Sequence, residues 1–244
     1  MSDYPYEYYN RKRAKRKAFF IKAIALLILF ALLIAAVSGI FFFSAKKIGV
    51  SLPVYLLAAE PAGGESEESV SAKGGAGIDY EDAGTNYTLY ACYYGQEDAQ
   101  TVLMRLRAAG ENVVLLAKEG GTLYFRGRAE RGAGKTVSEL ITAAYVCSEA
   151  LYAVANRLEA GGIGQSAAKE GIREPLRVLS QVFEGAREAK LANKKKFRDF
   201  FTFDETLSAA AETALSGSVT AGAARRLQAM LCVYYLSAFE IFDK

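Results

Sequence analysis

The chain has 244 residues, of which 52% are hydrophobic, and its 30 Lys/Arg and 27 Asp/Glu give a formal net charge of +3. It contains no histidine, no tryptophan and only three cysteines. These absences exclude Ser-His-Asp and Cys-His nucleophile systems and histidine-containing zinc sites, and leave too few cysteines for a disulfide scaffold. We therefore expect a protein that is not an enzyme, that uses no cofactor or metal, and whose cysteines are buried free thiols.

The N-terminal region predicts a membrane anchor. Six basic residues at positions 11–17 are followed by a run of 23 residues without a charge, 23–45. At about 1.5 Å per residue, a helix of that length spans roughly 34 Å, enough for a bilayer core of about 30 Å. A cleaved signal peptide is the competing interpretation, but its apolar core is about 7–15 residues long, which is shorter than this run.

The charge distribution predicts the orientation of this anchor. By the positive-inside rule, residues 1–17 form a basic cytoplasmic tail, residues 18–45 a single transmembrane helix, and the C-terminal domains are extracytoplasmic. Residues 1–47 contain 9 of the 30 basic and 2 of the 27 acidic residues, so the exported remainder, with 21 basic and 25 acidic residues, has a net charge of −4. We expect the basic tail to contact lipid headgroups, and we expect no nucleic-acid partner.

Residues 50–128 have the pattern of a small sheet with one helix. Five strands are predicted, at 50–60, 78–80, 87–94, 112–117 and 122–126. The polar stretch 61–73 is predicted to be a loop, and the glycine-rich residues 74–77 a tight turn. Apolar residues at helical spacing predict an amphipathic helix over 96–109, which Gly110 ends.

Two blocks of this region resemble a known family. The first is the glycine turn at 74–77 leading into the strand YTLYACYY at 87–94. The second is Glu97-Asp98-Ala99 with its helix, Gly110, and the strand that follows. Together they are similar to the sporulation-related repeat (SPOR) domain, whose members bind peptidoglycan and are carried on single-pass membrane proteins. Family members usually have a helix after the first strand, whereas this sequence is predicted to have only the loop at 61–73 there.

The resemblance implies a site as well as a fold. It implies an antiparallel sheet of four or five strands with a helix on one face, and binding of glycan strands stripped of their stem peptides on the opposite face. Strict alternation along the strand places Leu89 and Ala91 towards the helix, and Thr88, Tyr90 and Tyr94 outward as the candidate glycan-binding residues. The alternative is that these tyrosines only fill a half-buried surface of the sheet.

Residues 135–244 are predicted to be a helical domain of three or four helices. Thr136 with Glu139, and Thr202 with Glu205, have the spacing of capping boxes and predict helix starts. The other predicted helices span about 166–190, with a kink or a late start at Pro175, and about 219–242. Apolar residues from Val137 to Leu158 recur at alternate threes and fours, so the helices form either an independent scaffold bundle or a surface for a partner or a second copy.

Residues 129–136 (AERGAGKT) match a relaxed phosphate-binding-loop pattern. No apolar strand that ends in Asp follows to hold magnesium, and the segment is predicted to lie outside the cell. We therefore do not assign nucleotide binding to it.

The sequence as a whole predicts a membrane-anchored, non-enzymatic α+β protein of the bacterial cell wall. The first hypothesis is a peptidoglycan-binding protein that acts in division or sporulation. The alternative is a membrane-anchored scaffold that recruits protein partners through its helices and has lost glycan binding. Wall hydrolysis is the least favoured, since no carboxylate pair is recognisable.

Overall fold

The computed structural model describes residues 46–49, 52–61, 65–125, 127–188 and 195–242. The predicted cytoplasmic tail (1–17) and transmembrane helix (18–45) lie outside the described residues. The elements in chain order are β1 (Lys46–Gly49), β2 (Pro53–Ala59), α1 (Glu67–Ala72), β3 (Ile78–Asp82), β4 (Thr85–Tyr93), α2 (Gln96–Ala108), β5 (Val113–Glu119), β6 (Thr122–Phe125), α3 (Gly127–Glu159), α4 (Gln165–Glu188), α5 (Lys195–Ser216) and α6 (Ala221–Phe242).

Four of the strands form an antiparallel sheet in the order β3-β4-β2-β5, and β1 pairs separately with β6. The sheet elements follow one another as β2-α1-β3-β4-α2-β5, which is the split βαβ, ferredoxin-like arrangement. The predicted α+β class, with a small antiparallel sheet and several helices, is confirmed.

Helix α1 lies where the sequence predicts a loop, so that prediction was wrong for residues 67–72. Ser66 caps the helix, because its Oγ accepts a hydrogen bond from the Ser69 N–H at 3.2 Å. Glu67 and Glu68 in the first turn suit the positive end of the helix dipole. The one buried apolar residue of α1, Val70, is fully covered and holds this short helix against the sheet.

Strand β4 contains a β-bulge at Tyr90. Leu57 and Ala58 are adjacent in β2, yet their partners in β4 are Ala91 and Leu89, so Tyr90 is an extra residue between them. Because of this extra residue, the side chains of β4 that follow the bulge point to the opposite face of the sheet from the one that strict alternation would give. Leu89 and Cys92 consequently lie in one hydrophobic cluster, and Tyr90 and Ala91 in the other.

The sheet is covered on both faces. One face packs against α1 and α2 through a cluster that includes Leu57, Val70 and Ala99. The other face packs against the C-terminal helices in a larger cluster, to which β2 and β4 contribute Val54, Leu56, Ala58, Leu89 and Cys92, and α3 and α6 contribute Leu140, Ile141, Leu231 and Tyr235, among others. The region predicted as a sheet domain (50–128) and the region predicted as a helical domain (135–244) thus share one core.

Four C-terminal helices are present, but two of them begin earlier than predicted. Helix α3 runs from Gly127 and α5 from Lys195, so Thr136 and Thr202 lie inside helices and do not cap them. Helices α4 and α6 lie close to their predicted positions, with Pro175 inside α4. Residues 129–136 are helical throughout, so they form no phosphate-binding loop.

The apolar seam of α3 is used within the chain. Val137, Leu140, Ala144 and Leu151 are fully buried in the cluster shared with the sheet, so they are not available as a self-association seam. Among the described residues, one helical segment, Gly134–Glu159, is long and apolar enough to cross a membrane, and half of its apolar window is buried in the protein. Packing against the sheet accounts for its apolar character.

Candidate functional site

The three residues predicted to bind glycan do not form an exposed surface. Thr88 is 9% exposed, Tyr90 is 5% exposed, and Tyr94 is partly buried. The bulge separates them, because Tyr90 joins the cluster beneath α1 and α2 whereas Tyr94 packs on the cluster beneath α3 and α6. The predicted outward placement was therefore wrong, and its cause is the extra residue in β4.

Tyr90 belongs to a group of four polar side chains, which we call the Tyr90 cluster: Glu65, Lys73, Tyr90 and Glu111. The Tyr90 hydroxyl donates to Glu65 Oε2 at 2.5 Å and lies 3.2 Å from Glu111 Oε2. Lys73 Nζ donates to Glu65 Oε1 at 2.6 Å and to Glu111 Oε2 at 2.5 Å. Thr88 lies next to the cluster, with its hydroxyl 3.3 Å from the Glu65 carbonyl oxygen. The cluster ties the segment before α1 to the start of β5.

Electrostatics fix the protonation of this cluster. Hydrogen bonds from Lys73 and then from Tyr90 lower the pKa of Glu65, and hydrogen bonds to Glu111 and Glu65 raise the pKa of Lys73. Burial, followed by the hydrogen bond to Glu65, raises the pKa of Tyr90. At neutral pH the cluster holds an ionised Glu65, a protonated Lys73 and a neutral phenol. Each of these groups is hydrogen-bonded to another, so the cluster links the two ends of α1 to Tyr90 on β4 and to Glu111.

A small cleft adjoins the Tyr90 cluster. Its volume is about 110 Å³, and its wall includes Lys73, Tyr90 and Glu111 of the cluster together with Arg105, Arg225 and Glu159. The guanidinium of Arg225 already donates to the Gly74 carbonyl at 3.1 Å and pairs with Glu159. Small-molecule sites usually measure about 300–1,000 Å³. The cleft is therefore smaller than the range usual for small-molecule sites.

Tyr94 lies in a second, buried network between β4 and the C-terminal helices. Its hydroxyl donates to Ser148 Oγ on α3 at 2.5 Å, and Ser148 in turn donates to the Tyr145 carbonyl at 2.7 Å. Gln228 on α6 donates to the Cys92 carbonyl of β4 at 2.8 Å. The Tyr94 ring packs edge-on against Tyr145, with their centroids 5.1 Å apart. This network joins three elements, β4, α3 and α6.

The face that the SPOR resemblance assigns to glycan is occupied by the chain's own helices. Two hydrogen bonds reinforce the apolar contact. The hydroxyl of Tyr235 on α6 donates to the Leu52 carbonyl at 2.9 Å, and the hydroxyl of Tyr145 on α3 donates to the Pro53 carbonyl at 3.2 Å.

The apolar part of this interface is fully buried. Its side chains include Val54, Leu56, Leu89, Leu140, Leu231 and Tyr235. At roughly 1.5–3 kcal/mol each, exposing these six would cost about 10 kcal/mol or more, comparable with the whole stability of a typical domain. The helices are therefore part of the folded core and not a removable cover.

A different surface lies between α4 and α5. The groove there has a volume of about 450 Å³, and its apolar floor includes Leu176, Ala211 and Leu215. Charged residues rim it, among them Arg173 and Glu212. The lining of this groove thus combines apolar side chains with charged ones.

Sequence reasoning missed the partners of the predicted tyrosines. Ser148 and Gln228 are polar residues fully buried within apolar helix stripes, and a polar residue at a core position of such a stripe is the signal that could have indicated a buried network. No local pattern joins Glu65, Lys73 and Glu111, because they are brought together only by the fold.

Comparison of the chain with protein-family models, with curated proteins and with solved structures gives no match.

Proposed function

We propose that this protein is a membrane-anchored, non-enzymatic scaffold of the bacterial cell envelope. It recruits protein partners through its C-terminal helices and does not bind glycan. The N-terminal anchor, with the helices outside the membrane, is the arrangement that the charge pattern of residues 1–47 predicts. In this proposal the sheet supports the helices.

One observation carries the proposal, namely that the sheet is a middle layer. The ferredoxin-like order of β2-α1-β3-β4-α2-β5 supports a SPOR-like ancestry for the sheet. A SPOR domain that reads glycan needs the face opposite α1 and α2 to be open, whereas α3 and α6 bury that face here. A fold alone does not fix function, so the covered face outweighs the shared topology.

The groove between α4 and α5 is the surface that we assign to the partner. Its apolar and charged lining residues suit a helical segment of another protein, which would pack apolar side chains against Leu176 and Leu215 and pair charges with Arg173 and Glu212. No such exposed apolar groove is found on the sheet face, where the side chains are in the core.

The first experiment tests the absence of glycan binding. The full-length chain, in detergent micelles and with its helical content checked by circular dichroism, is sedimented with isolated peptidoglycan sacculi, before and after an amidase has removed the stem peptides. We expect no pelleting above the level without sacculi in either case. Pelleting that rises after amidase treatment would overturn the scaffold proposal in favour of glycan recognition.

The second experiment tests the partner surface. A photo-crosslinking amino acid replaces Glu212 at the groove and, as a control, Asn86, an exposed residue near the start of β4, each in the full-length chain in its native cells. We expect a discrete protein adduct from position 212 and none from position 86. Adducts from neither position, or the same adduct from both, would contradict the assignment of the groove.

A further inference from the structure

The cleft beside the Tyr90 cluster has an apolar wall as well as a polar one. The apolar wall is formed by strands β2 and β4 and by helix α2, through Leu57, Ala91, Val102 and Leu106. Leu57 is fully buried and Ala91 is buried, so this wall is anchored in the folded core. Such a wall favours hydrocarbon over water, because contact removes apolar surface of both partners from solvent.

Two of the three cations in the cleft lining already have carboxylate partners. Lys73 Nζ lies 2.5 Å from Glu111 Oε2, and Arg225 pairs with Glu159. Arg105 on α2 is the third cation. Its guanidinium forms no ion pair or hydrogen bond with any other residue that the structure describes. The cleft therefore carries one cation whose charge is not balanced by a neighbouring side chain.

The Tyr93 hydroxyl is a second unpaired donor in the same cleft. The Tyr93 ring is held by an edge-on contact with Tyr152, with their centroids 5.8 Å apart. Its hydroxyl is reached by solvent and has no hydrogen-bond partner within the described ranges of the chain. Burial raises the pKa of Tyr93 to about 12, although the charges of Arg225 and Arg105 act in the opposite direction. The phenol is thus neutral at neutral pH and can donate a hydrogen bond.

We propose that this cleft binds a short-chain aliphatic carboxylate as a free small molecule. The inference goes beyond the proposed scaffold function and does not depend on it. The Arg105 guanidinium and the Tyr93 hydroxyl donate to the carboxylate oxygens, and the parallel N–H groups of a guanidinium match the two oxygens of a carboxylate. The hydrocarbon part of the ligand packs on the apolar wall, against Leu57 and Leu106.

Volume and charge together select this class of ligand. An apolar cavity of about 150 Å³ holds one benzene molecule, so a cleft of about 110 Å³ is filled by about five non-hydrogen atoms, the size of propionate. The Glu111 and Glu159 carboxylates line the same cleft and repel a doubly charged anion more strongly than a singly charged one. A single carboxylate is therefore favoured over phosphate.

The test is a ligand-observed NMR titration of the full-length chain. Propionate that is isotope-labelled at its carboxyl carbon is titrated with the protein in detergent micelles, and protein-free micelles give the background. We expect saturable binding with a Kd of about 1 mM, which is reasonable for so small a ligand. Acetate, which lacks one methylene, should bind about fourfold more weakly. Propionamide, which has the same shape without the charge, should show no saturable binding.

Matched variants tie the binding to the cleft. Arg105→Gln removes the unpaired cation and should weaken propionate binding about tenfold or more, and Tyr93→Phe removes the hydroxyl alone and should weaken it about fivefold. Arg157→Gln is the control, since Arg157 is an exposed arginine of α3 outside the cleft lining. It should leave the affinity unchanged. Circular dichroism checks that each variant keeps its helical content.

A glutamate blocked at both ends distinguishes a free acid from the side chain of a partner protein, because its carboxylate lies on a chain of the same length. We expect it to bind more weakly than propionate, since its backbone exceeds the volume of the cleft. Propionate binding that does not rise above the micelle background, that is unchanged in Arg105→Gln or Tyr93→Phe, or that is weaker than binding of the blocked glutamate would overturn the proposal.

Discussion

The hydroxyl of Tyr94 donates a hydrogen bond of 2.5 Å to Ser148 Oγ and so links the end of strand β4 to helix α3. Ser148 is fully buried and Tyr94 is partly buried. In a buried environment such a bond stabilises the fold, and an unpaired partner would carry a desolvation cost. The residue that the sequence suggested as a sugar-stacking ring therefore serves to attach the sheet to the helices.

We predict that Gly77→Ala destabilises the protein by about 2–4 kcal/mol. Gly77 has φ +56°, and an added Cβ would lie 2.5 Å from the Glu67 carbonyl oxygen, so the left-handed backbone cost adds to a steric clash with α1. Urea unfolding of the full-length chain, followed by circular dichroism, measures the loss.

The matched control for that substitution is Gly84→Ala. Gly84 also has a positive φ, +81°, but nothing lies within 4 Å of an added Cβ, so we expect a loss of only about 1–2 kcal/mol. Equal losses for the two variants would contradict the close approach of α1 to the turn at Gly77.

Two glycines of α4 provide a second matched pair. An added Cβ at Gly171 would lie 2.7 Å from Val154 Cγ2 on α3, whereas nothing lies within 4 Å of one at Gly185. We expect Gly171→Ala to destabilise by about 1–3 kcal/mol, since overpacking separates the helices. Gly185→Ala should stabilise by up to about 1 kcal/mol, since alanine has the higher helix propensity. Thermal or urea unfolding measures the change in the free energy of unfolding for each variant. A Gly171→Ala protein more stable than the wild type would contradict the close crossing of α3 and α4.

Glu65 predicts a pH dependence of stability. Its hydrogen bonds with Lys73 and Tyr90 lower its folded-state pKa from the ordinary value of 4.5, so they stabilise the folded protein above that pH. This stability is lost as the pH falls through the lowered pKa and the carboxylate becomes protonated. We expect the wild-type protein to be more stable than Glu65→Gln at pH 7, and the difference to shrink progressively below about pH 4.5.

The control for this pH dependence is Glu68→Gln. Glu68 is an exposed residue of the same short helix region, and it takes no part in the Tyr90 cluster. Its effect on stability at pH 7 should be smaller than that of Glu65→Gln, because its side chain is exposed. If the two variants had equally small effects at pH 7, the hydrogen bonds of the cluster would not form in solution.

Much of the local structure could be predicted from the sequence. Helix α2 follows from the helical spacing of its apolar residues and from Gly110, whose φ of +87° ends it as a C-terminal glycine should. The strands β2, β4 and β5 follow from their β-branched and aromatic content. The helix starts were less predictable, because a Thr and a Glu three residues apart look the same at a helix start and inside a helix, as at Thr136 and Thr202.

The predicted outward placement of Thr88, Tyr90 and Tyr94 was wrong for two physical reasons. A bulge adds a single residue, which no local pattern of β4 indicates, and that residue moved Tyr90 to the face opposite Tyr94. The second reason is the layer added by α3 and α6. One signal for it was present, since β2 reads PVYLLAA without polar alternation, and such a strand is typical of a sheet buried on both faces.

The central claim is that α3 and α6 close the sheet face in solution, and a double-mutant cycle between Tyr94 and Ser148 tests it most directly. The free energies of unfolding of the full-length wild-type protein, Tyr94→Phe, Ser148→Ala and the double variant are measured in urea. We predict a coupling energy of about 1 kcal/mol, because each substitution removes the same buried hydrogen bond. Additive effects, with a coupling of zero, would mean that β4 and α3 do not touch at this point and would contradict the covered face.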